Sequence, residues 1–126
     1  HRGVDMTARP PVVMIHGMWS QGRIWDTFRV PFEAAGHAVH APTLRHHAPG
    51  APHPDLGTTS LRDYVNDLAD FIATLPELPI LVGHSMGAGV GSLFAGAMPE
   101  RVSRFVMIDG LGHYAGSAEE APAILR

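Results

Sequence analysis

The chain has 126 residues, of which 45% are hydrophobic and 17% charged, and it carries a formal net charge of −3 with no cysteine. That length supports one domain, residues 1–126, with a single core. Disulfides, thiolate nucleophiles and zinc–thiolate sites are excluded, and the charge gives no reason to expect nucleic acid or an anionic membrane as partner.

All 9 residues in the lysine-plus-arginine total are arginine, so Schiff-base and P-loop lysine chemistry is excluded as well. The apolar runs are too short to span a bilayer and no signal-peptide pattern opens the chain, so a cytoplasmic location is expected.

Residues 1–10 carry no period. Pro11–Ile15 is an apolar, β-branched run without polar alternation, as expected of a strand buried on both faces of a parallel sheet. It ends at His16-Gly17. After the loop Met18–Gly22, Ile24, Trp25, Phe28, Phe32 and Ala35 recur at helical spacing over about Arg23–Ala35, with Pro31 set to kink or divide that helix. His37–Pro42 is a short second strand. Residues 43–59 read as a long surface loop holding His46, His47 and His53, and a loop of that length in a compact domain is usually functional or mobile.

Ser60-Leu61-Arg62-Asp63 resembles a capping box with aspartate in place of glutamate. It opens an amphipathic helix whose stripe is Leu61, Tyr64, Val65, Leu68, Ile72 and Leu75, and which Pro76 stops. Ile80-Leu81-Val82 is the third strand, an Ala/Gly-rich helix runs from Ser85 to Met98, and Arg104–Ile108 is the fourth strand. A last helix is expected around Ser117–Arg126. Strands alternating with helices predict an α/β fold: a three-layer, doubly wound parallel sheet of about four strands with right-handed crossovers.

Between the third strand and its helix lies Gly83-His84-Ser85-Met86-Gly87, which fits G-x-S-x-G in the strand–turn–helix setting that motif requires. A serine at so sharp a turn is held in a strained backbone with its hydroxyl pushed out above the sheet. Side chains two positions before and after it would collide with neighbouring strand and helix, which accounts for glycine at both. The N-terminal amides of the helix favour an anion at the same spot.

These residues carry a family resemblance. Val12–Gly17 as a strand and oxyanion turn, Gly83–Gly87 as a nucleophile elbow, and Pro99-Glu100-Arg101-Val102 leading to Ile108-Asp109-Gly110 together resemble the α/β-hydrolase fold family. Their order matches the family's third to sixth strands. Residues 11–91 look most like the small esterase and hydroxynitrile-lyase branch, and the stretch from Leu93 like another bacterial hydrolase branch. The chain looks like about half of that fold, a truncated core, because the family's last two strands and the histidine after them have no counterpart here.

The resemblance implies a serine hydrolase cleaving carboxylic esters, with Ser85 as nucleophile and two main-chain amides holding the oxyanion. Those amides would be Met86 and Met18, with Trp19 as second choice for the latter; His16, Gly17, Trp19 and His84 would line the substrate pocket. Asp109 stands at an acid position known within the family, although an Asp-Gly turn explains it equally well. His113, just beyond it, is the best candidate for the base within the chain, the alternative being a histidine from a second copy.

No cofactor and no metal is expected; among the loop histidines no carboxylate is read at ligand spacing. The expected partner is a small ester, with neither nucleic acid nor membrane. A homodimer or higher homo-oligomer is expected too, because so small a sheet leaves apolar faces and edges to cover. Two other readings stand beside the esterase: a cyanohydrin lyase-like enzyme, and a non-catalytic half-fold that self-associates.

Overall fold

The computed structural model describes residues 9–108. Four strands, β1 (Val12–Ile15), β2 (Val39–His40), β3 (Ile80–His84) and β4 (Arg104–Ile108), form one sheet in the order β2-β1-β3-β4, and every pair is parallel. The register aligns Ile15 with Gly83 and His84 with Ile108, so the C-terminal ends of β1, β3 and β4 finish at one edge. The loops that leave those ends carry the chemistry-bearing residues.

Alternate residues of the central strands face opposite layers. Val13, Ile15 and Leu81 pack against Tyr64, Leu68 and Ile72 of α2 (Leu61–Ala73) and Val90 and Phe94 of α3 (Met86–Ala97). Val12, Met14 and Val82 pack on the other side against Trp25, Val39 and Phe32. This explains the unbroken apolar runs of β1 and β3, since each strand meets a helical layer on both faces.

The helix expected over Arg23–Ala35 is two pieces: a 3-10 turn at Gly22–Trp25 and the short α1 (Val30–Ala34), with Pro31 in the first turn of α1. Proline is tolerated there because first-turn amides lack intrahelical partners, and it denies continuity with the turn before. The capping box forms as read: Asp63 N–H donates to Ser60 Oγ at 3.2 Å, and Ser60 N–H to Asp63 Oδ2 at 2.9 Å.

One expectation needs correction. The 43–59 segment is not simply a surface loop, because Leu44, His47 and Leu56 are buried, and the Arg45 guanidinium makes a two-pronged bond to Asp67 of α2 at 2.7 and 2.6 Å. In β4, at one edge of the described sheet, Val106 and Met107 are each 46% exposed. The helix expected at Ser117–Arg126 lies outside the described residues. No described helix is long and apolar enough to cross a membrane.

Candidate active site

Ser85 occupies the single-residue joint between β3 and α3, with φ 56° and ψ −121°. It is one of three non-glycine residues with positive φ among those described. An L-residue adopts this conformation only when its surroundings impose it. Ser85 N–H reaches Ile108 O at 3.3 Å, while Ser85 O accepts from Ala88 N–H at 3.0 Å. The joint is therefore tied to the end of β4 on one side and to the first turn of α3 on the other.

Both flanking glycines are required by contact. A β-carbon on Gly83 would come within 2.6 Å of the Gly87 carbonyl and 2.7 Å of Ala88 Cα. One on Gly87 would run into the Ile15 carbonyl and lie 2.6 Å from His16 O. The helix start is thus pressed directly against the end of β1, and only a residue without a β-carbon permits it.

That closeness brings the His16–Ser20 turn beside the serine. A β-carbon on Gly17 would sit 3.0 Å from Ser85 Cβ and 3.5 Å from its Oγ. Ser20 N–H closes the turn onto Gly17 O at 3.3 Å, and Trp19 at its tip takes φ 68°. Among the described residues, nothing accepts from the amide of Met18 or of Met86. The Met86 side chain is buried against the α2–α3 core, whereas Met18 and Trp19 are exposed.

His16 is fully buried, and both its ring nitrogens are engaged: Nδ1 with Gly17 O at 2.7 Å, Nε2 as acceptor from Leu44 N–H at 2.9 Å. The second bond requires an unprotonated Nε2, so the ring is neutral with its proton on Nδ1. Burial lowers its pKa, nearby His47 lowers it further, and only the Gly17 carbonyl opposes them. The expectation that His16 lines the substrate pocket is therefore corrected. It lies behind the turn and pins it to the 43–47 segment. His47, buried and 5.2 Å from His16 ring to ring, was legible in sequence only as another loop histidine.

The remaining expected residues divide. Gly17 is buried against Ser85, Trp19 is exposed at the tip of the turn, and His84 is half-buried at the end of β3. Asp109 and His113 lie outside the described residues. The larger of the two described cavities, about 320 Å³, is lined by Ile15, Pro42, Leu44, Arg45, Leu68 and Phe71 among others, and contains none of the expected site residues. Trp19 instead joins Gln21, His46 and His47 around a hollow of about 70 Å³. A further correction concerns metal ligands: Asp55 stands within reach of His46 and His53, so a carboxylate does lie at ligand spacing.

A four-stranded parallel sheet wrapped by helices, with a strained serine at the strand-to-helix joint and a glycine turn against it, defines the class. The alpha/beta hydrolase family model matches residues 12–126, and the chain belongs to that family. Among its relatives are a pyrethroid hydrolase of Sphingobium wenxiniae, 33% identical over 77% of this chain and 34% of that protein, and methylesterase 7 of Arabidopsis thaliana, 32% identical over 83% and 41%. The solved structure of a pyrethroid hydrolase from Sphingobium faniae superposes with a TM-score of 0.69 at 30% identity, covering 81% of this chain and 40% of the other. Polyneuridine aldehyde esterase gives a TM-score of 0.66 at 29% identity, over 82% and 41%. The chain spans about a third to two-fifths of the length of these relatives.

Proposed function

We propose that this chain carries the nucleophile and oxyanion-binding half of a serine esterase acting on carboxylic esters with modest, mostly apolar acyl groups. One observation carries the reading: Ser85 is held at φ 56° against the Gly17 turn, and among the described residues nothing accepts from the amides of Met86, which follows it, and of Met18, which follows Gly17. Strain of this kind persists where the surrounding structure over-determines it, and it clusters at sites of chemistry.

In this mechanism the Ser85 hydroxyl attacks the ester carbonyl, and the amides of Met18 and Met86 stabilise the oxyanion that develops. A histidine takes the hydroxyl proton and returns it to the leaving alcohol; His113 is the candidate, or a histidine from a second copy, with Asp109 orienting it. Water then attacks the acyl-serine by the same route. Relatives named as a pyrethroid hydrolase and a methylesterase support ester substrates over a cyanohydrin.

Exposure to a fluorophosphonate probe tests the nucleophile, followed by mass spectrometry and with Ser85→Ala as control. Labelling at Ser85, lost in the variant, is expected; labelling that persists in the variant overturns the reading. His113→Ala should reduce turnover of a short p-nitrophenyl ester far more than His40→Ala, and equal turnover would exclude His113.

A further inference from the structure

We propose that His46, His53 and Asp55 form a binding site for a first-row divalent transition-metal ion of the zinc type. The three residues come from two points of the 43–59 segment, and each brings one ligand atom within 4.8 Å of the other two. His46 takes φ 64°, a conformation uncommon for any residue but glycine, and this turns its ring onto His53 with centroids 4.0 Å apart and planes 22° from parallel. Among the described residues, neither ring nitrogen of His46 has a hydrogen-bond partner.

His53 is held beside Asp55: its Nδ1 accepts from Asp55 N–H at 3.0 Å, a bond that must give way before the same lone pair takes a metal, and Asp55 Oδ2 lies 3.9 Å from that nitrogen. At bond lengths of about 2.0–2.2 Å the ligands of a tetrahedral zinc ion stand roughly 3.3–3.6 Å apart. The His53–Asp55 pair, at 3.9 Å, has only to close by a few tenths of an ångström. His46 needs its ring to open from the stack so that its lone pair converges on the same point, a rotation available to a ring not enclosed by the core. Two imidazoles and one carboxylate prefer zinc, nickel or copper, whereas magnesium and calcium demand all-oxygen sets.

The position of the cluster gives binding a structural consequence. His46 also lines the 70 Å³ hollow that Trp19 and Gln21 close from the other side. An ion shared by residues 46, 53 and 55 would clip the intervening loop and hold that wall of the hollow in place.

The test is calorimetric titration of EDTA-treated protein with zinc chloride. One zinc per chain is expected, with affinity weakened at least about tenfold in His46→Ala and in His53→Ala, weakened also in Asp55→Asn, and unchanged in His40→Ala. Magnesium chloride should give no binding heat. The unaltered chain supplies a second reading, since zinc should move the imidazole nitrogen resonances of His46 and His53 in long-range proton–nitrogen spectra. Equal affinity in the His46→Ala/His53→Ala double variant, or shifts confined to other histidines, would overturn the proposal.

Discussion

Gly17 and Ser85 meet so closely that a single methyl group added to the first would lie 3.0 Å from the β-carbon of the second. The two residues are 68 positions apart in the chain, and the meeting depends on β1 and β3 being neighbours with Ile15 opposite Gly83. A contact at that distance makes the neighbour yield by a few tenths of an ångström. Gly17→Ala should therefore shift Ser85 and the Met18 amide relative to each other while leaving the core intact. Ester turnover is expected to fall about tenfold or more, since misplacements well under 1 Å already erode a reacting geometry. Steady-state kinetics with a p-nitrophenyl ester checks it; undiminished kcat would show that the turn plays no part.

Ser85→Gly separates strain from chemistry. The φ 56°, ψ −121° pair is unfavourable for any side chain and open to glycine. Relief of about 1–3 kcal/mol should outweigh the roughly 0.5–1 kcal/mol that glycine adds through its freer unfolded chain. The variant should be inactive yet more stable by about 1 kcal/mol in a urea titration. A loss of stability would mean that the serine side chain holds the joint together.

Acidification should loosen the Gly17 turn through His16. Its folded pKa is lowered from 6.5, chiefly by burial, so the unfolded chain binds the proton more readily than the folded one. The stability contributed by the neutral ring is complete above about pH 6.5 and is lost as pH falls below it. Protonation would also set an N–H on Nε2 against the Leu44 amide that it now accepts from. Urea midpoints measured from pH 7.5 down to pH 5 should fall in the native chain, and fall less steeply in His16→Asn. Parallel slopes would assign the effect to other groups.

We propose that the 126-residue chain self-associates at the β4 edge of its sheet, where Val106 on one face and Met107 on the other are each 46% exposed and β4 is an outermost strand among the described residues. Half-exposed apolar residues at the edge of a sheet are what proteins ordinarily cover. Light scattering should give a mass above 13.5 kDa at micromolar concentration, and Val106→Lys should return it toward that value. A monodisperse 13.5 kDa species with full esterase activity would reject the idea.

Much of the architecture was legible in the sequence because its signals are local. Unbroken β-branched runs marked β1 and β3, the Ser60–Asp63 box and the Leu61–Ile72 stripe marked α2, and Gly83–Gly87 marked the joint at Ser85. In each case neighbouring residues along the chain determine the geometry. Tertiary structure decided what depends on distant partners. It placed Gly87 on the Ile15 carbonyl, buried His16 between Gly17 and Leu44, and drew His47 out of the loop into the core. It also left Val106 and Met107 half exposed in a strand whose composition reads as buried. Histidine shows the division most plainly, because the same side chain can be a core hydrogen-bond bridge, a metal ligand or a base. Composition and spacing do not distinguish these roles; the desolvation and hydrogen-bond partners that do are set by segments tens of residues away.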